Sequence, residues 1–241
     1  MVKKIKSKER LIVALDYSNI DKAKAIVEEL GDEVIFYKIG LELLMSGEYF
    51  DFINWLGQKN KKIFADLKLF DISNTVAKAI QNLSNYKNVD FLTIHFASKD
   101  IMKKANLAKS HIKILAVTIL TNLDKNDLSD IGIDNNISVT DEVVRRAKLS
   151  YQYGVNGVIS SGFEASNIRK NTSDDFLIVT PAIRPDFLLN NKSDDQKRIV
   201  TVQEAFNNGA DYIVMGRPIT QNDNPKEVAI KVQQQISNLF N

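Results

Sequence analysis

The chain has 241 residues, 44% of them hydrophobic and 26% charged, a composition typical of a globular protein with one large or two small domains. Its 32 basic and 30 acidic residues nearly cancel, which disfavours a nucleic-acid partner, and the lack of cysteine excludes disulfides and thiolate catalysis. No apolar run has the length of a signal peptide core or a membrane span, so we expect a cytoplasmic protein that does not enter the membrane.

We predict a solvated basic tail over residues 1–9 and one domain over residues 10–241. Eight short apolar segments in this domain predict strands, at residues 11–16, 34–40, 62–68, 90–95, 112–120, 157–160, 176–182 and 211–216. Their continuous apolar character is typical of parallel strands that are buried on both faces. Helical patterns separate them, and short polar segments favour helix starts at Ser18-Asn19, Ser73-Asn74-Thr75, Ser138-Val139-Thr140 and Thr201.

Eight strand–helix repeats in this length predict a (β/α)₈ TIM barrel in the α/β class. A doubly wound open sheet is the alternative, but no GxGxxG turn follows the first strand. Functional groups of such barrels lie at the C-terminal ends of the strands. Polar residues occupy these positions here: Asp16, Lys38, Asp66, Lys68, His95, Thr118 and Arg217.

Three charged residues follow the third apolar segment, in Asp66-Leu67-Lys68-Leu69-Phe70-Asp71. Side chains alternate along a strand, so Asp66 and Lys68 are predicted to share a face. Two carboxylates around one ammonium group are costly to bury unless the charges are paired. The alternative interpretation is a surface ion-pair cluster, which contributes little to stability.

The eighth segment ends in Gly216-Arg217-Pro218, which predicts a phosphate site, because glycine permits close approach and a helix start offers free N–H groups. A turn with a solvated arginine is the alternative. After the seventh segment, a long polar stretch with Arg184 and Gln196 predicts a closing lid, or else a merely flexible loop. A lone histidine such as His95 is predicted to be a hydrogen-bonded core residue rather than a base, and no group of residues has metal-ligand spacing.

The pattern Asp66-x-Lys68-x-x-Asp71, followed by Ile-Ser-Asn-Thr, resembles the DxKxxDIPNT signature of the orotidine 5′-phosphate decarboxylase family. Further matches occur in the same order: Asp16 in LIVALD, Lys38 in FYKIG, Arg184 in TPAIRP, and Gly216 with Arg217 in GRPIT. Three positions depart from the family pattern. Ser73 replaces a proline, Ala182 stands where glycine is frequent, and the residues after His95 are Phe-Ala-Ser-Lys rather than Ala-x-Gly-Gly.

This resemblance implies that orotidine 5′-monophosphate is converted to uridine 5′-monophosphate and CO₂, the last step of de novo pyrimidine synthesis, without metal or cofactor. It implies a homodimer with shared active sites, in which Lys68 donates a proton to C6 of the pyrimidine. Asp66 and Asp71 would flank Lys68, with Asp71 reaching across from the second subunit. The resemblance assigns ribose contacts to Asp16, Lys38 and Thr75 of the partner subunit, base contact to Thr121, and phosphate contacts to Arg184, Gln196, Gly216 and Arg217.

Two other functions compete with this one. Metal-dependent sugar-phosphate decarboxylases and synthases share the DxKxxD strand, but they place a glutamate at the end of strand two to help bind Mg²⁺. This chain has Lys38 there, and an ammonium group repels a cation. A catalytically silent phosphate-binding barrel is the second competitor, and it is disfavoured because charged groups are costly to keep buried without use.

Overall fold

The computed structural model describes residues 5–188 and 199–240, which form a closed barrel of eight parallel strands with helices between them. The predicted (β/α)₈ TIM barrel is confirmed. In chain order the strands β1 to β8 are Leu11–Ala14, Phe36–Gly40, Lys62–Leu69, Val89–His95, Lys113–Val117, Gly157–Ile159, Leu177–Thr180 and Tyr212–Met215.

Each strand pairs in parallel with its neighbour along the chain, and β8 closes the barrel against β1 through pairs such as Ile12 with Val214. Most predicted strands extend too far at their C-terminal ends. The fifth, for example, was predicted to reach residue 120 but ends at Val117. The residues beyond these ends turn out of the ladder and form the mouth of the barrel.

The helices lie outside the barrel, and three of the four helix starts predicted from polar residues are confirmed. Asn19 and Ser138 accept hydrogen bonds from backbone N–H groups of the first turn, and Thr201 forms a capping box with Glu204. In chain order α1 to α11 are Ile20–Leu30, Leu41–Leu44, Tyr49–Gln58, Ser73–Leu83, Lys99–Ala108, Lys125–Asp130, Val139–Gln152, Ala165–Asn171, Val202–Asn207, Arg217–Thr220 and Pro225–Phe240.

The start of α4 differs from the prediction. Ser73-Asn74-Thr75 was expected to precede the helix, whereas the helix begins at Ser73 and its N-cap residue, Ile72, makes no side-chain cap bond. The Ser73 hydroxyl accepts a hydrogen bond from Lys104 of α5 at 3.0 Å. The serine that replaces the family's proline therefore connects two neighbouring helices instead of capping one.

The interior of the barrel has an aromatic layer with a polar layer above it. Phe91 lies at the centre of the aromatic layer, with ring centroids 5.0 Å from both Phe36 and Tyr212. Residues two positions apart on a strand share a face. Lys38, Asp66 and Thr93 follow Phe36, Phe64 and Phe91 by two positions and therefore lie above this apolar floor. Asp66 and Thr93 are buried there, and Lys38 is partly buried.

Residues 5–9 of the predicted tail contact the end of the barrel opposite the mouth. Ile5 packs against the interior cluster, and Ser7–Glu9 forms a 3₁₀ helix. Glu9 pairs with Lys62 of β3 at 3.2 Å. None of the helices within the described residues combines the length and the apolar character of a membrane-spanning segment.

Candidate active site

Four alternating charges lie at the C-terminal ends of β1, β2 and β3, and we call Asp16, Lys38, Asp66 and Lys68 the charge array. The Lys38 ammonium nitrogen lies 2.7 Å from Asp16 Oδ1 and 3.5 Å from Asp66 Oδ2. The Lys68 ammonium nitrogen lies 2.8 Å from the same Asp66 oxygen. The array therefore joins the three strands into one electrostatic unit that faces the mouth.

Burial and pairing act against each other at the centre of the array. The side chains of Lys38 and Asp66 are each only 12% exposed. Burial by itself would lower the pKa of Lys38, but Asp66 and Asp16 raise it above its ordinary value. Burial by itself would raise the pKa of Asp66, but Lys38, Lys68 and the hydrogen bond from Thr93 hold it below its ordinary value. Both groups are therefore charged at neutral pH.

The strand that carries Asp66 and Lys68 is irregular at this point. Ala65 pairs with Leu92 of β4, but the next pair is Leu69 with Ile94, so three residues of β3 lie opposite Thr93 alone. Lys68 has a φ of 47°, in the left-handed region. The two side chains meet as the sequence predicts, although a bulge rather than regular alternation brings them together.

Thr93 is the site residue that sequence reasoning missed. Its hydroxyl oxygen accepts a hydrogen bond from the Lys68 backbone N–H at 2.9 Å and donates one to Asp66 Oδ1 at 2.9 Å. The side chain is fully buried. The signal in the sequence was its register, two positions beyond the inward-facing Phe91 and two before His95.

The prediction that His95 is a core residue is wrong. It is half-buried at the mouth, and its ring meets Phe70 edge-on with centroids 6.1 Å apart. Burial lowers the pKa of His95, and the positive charges of Lys68 and Arg146 lower it further. The ring is therefore neutral at physiological pH.

Two adjoining cavities open beside the charge array. The first has a volume of about 150 Å³ and brings Lys68 and Thr121 together with apolar residues such as Val117, Ile119 and Ile159. The second has a volume of about 160 Å³ and is lined by four more of the predicted ligands, namely Asp16, Arg184, Gly216 and Arg217. Lys38 and Thr121 line both, so the two cavities form one site with an apolar and a basic half.

The basic half relies on side chains more than on a helix dipole. The predicted helix after β8, Arg217–Thr220, is only one turn long, so its dipole is small. Arg184 lies two residues after Ala182, which lines the same cavity and whose φ of 62° is also in the left-handed region. Gln196 and most of the predicted lid lie outside the described residues.

Asp71 and Thr75 do not join the charge array. Both residues are exposed, and Asp71 Oδ1 accepts a hydrogen bond from the neighbouring Ile72 N–H. The large apolar side chains on either side of Asp71 are also exposed, Phe70 by 71% and Ile72 by 70%. This loop therefore presents a carboxylate and two apolar side chains to the outside.

Comparison with known proteins gives one consistent family. The family model described as "Orotidine 5'-phosphate decarboxylase / HUMPS family" matches residues 9–232. A curated relative named orotidine 5′-phosphate decarboxylase, from Methylococcus capsulatus, is 47% identical over 96% of this chain and 93% of its own length. One of the same name from Xanthomonas euvesicatoria is 45% identical over 95% of this chain and 92% of its own length.

Solved structures give the same result. The crystal structure of orotidine 5′-phosphate decarboxylase from Lactobacillus acidophilus superposes with a TM-score of 0.81 at 33% identity, and the match covers 95% of this chain and 99% of that one. Both the sequence and the fold of this chain thus match those of the named proteins over nearly the whole length. The chain belongs to the orotidine 5′-phosphate decarboxylase / HUMPS family.

Proposed function

We propose that the protein decarboxylates orotidine 5′-monophosphate to uridine 5′-monophosphate, with Lys68 as the proton donor to C6. The observation that carries this proposal is the charge array, in which Asp66 fixes the Lys68 ammonium group beside an apolar cavity. The names of relatives that are 44–47% identical over nearly the whole chain support the same reaction.

The array suits the chemistry of this reaction. When the bond from C6 to the carboxyl carbon breaks, its electron pair stays on C6 and CO₂ leaves. A fixed ammonium group next to C6 stabilises the developing negative charge, and it needs no reorganisation at that moment. The new C6–H bond then forms with a proton from Lys68, which is left as a neutral amine.

The two halves of the site match the two ends of the nucleotide. The apolar half, with Thr121 at its edge, would hold the pyrimidine next to Lys68. The basic half would hold the phosphate through Arg184 and Arg217, with Gly216 allowing close approach. Lys38, which lines both halves, and Asp16, which lines the basic half, would bind the ribose hydroxyls. Gln196, which lies outside the described residues, is proposed as a further phosphate ligand.

The same geometry supports a reaction without a metal ion. In the metal-dependent competitors, a carboxylate from strand two and the first aspartate of the motif hold Mg²⁺. Here the Lys38 ammonium nitrogen lies 3.5 Å from Asp66 Oδ2, so a positive charge already neutralises that carboxylate. An ammonium group at this position opposes the binding of a cation.

We propose a homodimer in which the loop around Asp71 completes the neighbour's site. The exposed carboxylate of Asp71 and the exposed Phe70 and Ile72 support this arrangement, because apolar side chains of this size gain stability when a partner covers them. Thr75, exposed in the first turn of α4, would contact the neighbour's ribose. The cytoplasmic location and the absence of a nucleic-acid partner stay predictions of the sequence.

The test of the reaction is an assay with orotidine 5′-monophosphate in the presence and absence of EDTA. We expect uridine 5′-monophosphate and CO₂ in both cases, and near-total loss of turnover with retained nucleotide binding in Lys68→Ala. Lys62→Ala is the matched control, because Lys62 lies at the other end of β3 and pairs with Glu9 and Asp90. It should retain turnover below its unfolding temperature.

Two outcomes would contradict the proposal. Turnover that appears only with Mg²⁺ would favour the metal-dependent competitors. Tight nucleotide binding by a folded wild-type protein without any turnover would favour the silent phosphate-binding barrel.

A further inference from the structure

The bulge in β3 leaves a gap in the ladder between β3 and β4. Three residues of β3, Asp66, Leu67 and Lys68, lie opposite the single residue Thr93. A bulge of this kind leaves backbone groups without their usual partners on the neighbouring strand. A left-handed backbone at a non-glycine residue such as Lys68 adds a further cost. Contacts around the bulge must offset both costs.

The Thr93 hydroxyl occupies this gap. The backbone N–H of Lys68 can only donate, so the hydroxyl oxygen accepts from it at 2.9 Å. The one hydroxyl proton is then directed at Asp66 Oδ1, also at 2.9 Å. The other oxygen of Asp66 accepts from the Lys68 ammonium group at 2.8 Å. The two ends of Lys68, backbone and side chain, are thereby tied to one carboxylate.

We propose that Thr93 is a positioning residue, whose hydroxyl replaces the missing ladder partner of Lys68 and holds the Lys68 ammonium group and the Asp66 carboxylate in their reactive arrangement. Thr93 is completely buried, so water cannot substitute for the hydroxyl without rearrangement of the barrel interior. The hydroxyl is also the only polar group that this side chain has, which makes its removal a clean perturbation.

The effect on turnover rests on the proposed function, whereas the effect on the geometry of the pair does not. Without the hydroxyl, the Lys68 N–H loses its acceptor and Asp66 loses a neutral donor. Both changes loosen the ammonium group relative to C6 of the substrate. They leave the basic half of the site, around Arg184 and Arg217, unchanged. Loss of the hydroxyl should therefore lower kcat more than it weakens substrate binding.

The kinetic test compares Thr93→Val, which preserves shape and removes the hydroxyl, with Thr93→Ser, which preserves the hydroxyl. For Thr93→Val we expect kcat to fall about 10- to 100-fold, the range for loss of a hydrogen bond to a charged group, with KM changed less than about threefold. Thr93→Ser should stay within about threefold of wild type in kcat. A Thr93→Val protein with wild-type kcat would overturn the proposal.

The second test is independent of turnover and uses the titration of Asp66, followed by ¹³C NMR of labelled aspartate. Its resonance is assigned by its loss in Asp66→Asn. Thr93→Val should raise the pKa of Asp66 toward the value that burial favours, and Thr93→Ser should not. The other charged or titratable groups around Asp66 are the same in both variants, namely Asp16, Lys38, Tyr49, Lys68 and His95.

Thr118→Val is the matched control for this titration. Thr118 is a buried threonine at the end of β5, and its hydroxyl donates to the Ile159 carbonyl rather than to Asp66. It should leave the pKa of Asp66 at the wild-type value. If Thr93→Val does not fold, Thr93→Ala removes the same hydroxyl without added bulk and is judged by the same measurements.

The two proposals fail in distinguishable ways. A wild-type protein that does not act on orotidine 5′-monophosphate refutes the proposed function, and the Asp66 titration then decides the role of Thr93 by itself. An unchanged Asp66 pKa in Thr93→Val would overturn the positioning role, whatever the activity of the wild type.

Discussion

At the scale of single residues, left-handed backbone marks positions where local preference and tertiary structure disagree. Within residues 5–188 and 199–240, three non-glycine residues have positive φ: Asn60, Lys68 and Ala182. Asparagine tolerates this conformation, and Lys68 is held by the charge array and by Thr93. Ala182 lies where glycine is frequent in the family pattern, and its β-carbon makes the left-handed backbone unfavourable there.

We predict that Ala182→Gly destabilises the protein less than Ala210→Gly, by about 1–2 kcal/mol in the free energy of unfolding. Both alanines are buried loop residues, so both variants lose a buried methyl group and gain the same chain entropy when unfolded. Only Ala182 is relieved of a left-handed backbone. Urea denaturation of the two variants gives the comparison, and equal losses would show that Ala182 is unstrained.

At the scale of elements, a buried ionic contact joins α7 to the end of β5. The Glu142 side chain is only 3% exposed and accepts hydrogen bonds from Arg145 and Arg146, the shortest at 2.6 Å. Arg146 also donates to the Thr118 carbonyl at 2.8 Å. Thr118 precedes the loop that carries Thr121, so this contact connects an outer helix to the wall of the apolar cavity.

We predict that Glu142→Gln lowers the free energy of unfolding at neutral pH by about 2 kcal/mol, less than for a fully enclosed pair because Arg145 can still reach water. Burial by itself would raise the pKa of Glu142, but the two arginines hold it below its ordinary value. A depressed carboxyl pKa stabilises the folded state above the unfolded pKa, about 4.3, and this stabilisation is lost as the pH falls through the folded pKa. The difference from wild type should therefore shrink in acid.

Denaturation curves at pH 7 and below pH 4 test this prediction. Glu227→Gln is the control, because Glu227 forms an exposed pair with Lys231 one turn along α11, and water screens that pair. Glu227→Gln should change the free energy of unfolding little at either pH. A pH-independent loss in Glu142→Gln would assign the effect to packing rather than to charge.

At the scale of the whole molecule, the barrel assembles only part of the proposed site. The charge array lies within a single chain, but the carboxylate of Asp71 faces outward with Phe70 and Ile72. The motif that predicts the chemistry is thus divided between an inward and an outward group. The outward group is the structural basis of the proposed dimer.

We predict that a mixture of inactive Lys68→Ala and inactive Asp71→Ala recovers about one quarter of the wild-type activity after subunit exchange. Half of the dimers would then be hybrids, and each hybrid would have one intact site. Lys68→Ala mixed with Arg217→Ala is the control, because both residues belong to the same protomer's site and no intact site can form. Exchange without recovery in the first mixture would contradict a shared site.

Particular residues show how much of the structure could be predicted from the sequence. The eight strands were recognisable because apolar runs of this length reflect local burial, and Asn19, Ser138 and Thr201 begin helices through contacts within one turn. The charge array was also predictable, since strand ends of a barrel converge. Ser73 was misplaced because its hydroxyl bonds to Lys104, which is 31 residues away.

The amino-acid sequence by itself determined the fold class, the family resemblance and most of the charged groups of the site, because these depend on periodicity and on residue types at strand ends. Only the tertiary structure decided how Asp66 and Lys68 meet, that Thr93 joins them, and that Ala182 carries a left-handed backbone. The register between β3 and β4 pairs residues about 25 positions apart. The residue pattern of β3 alone does not show which residue of β4 lies opposite the bulge, and so it does not identify the Thr93 hydroxyl as the bonding partner.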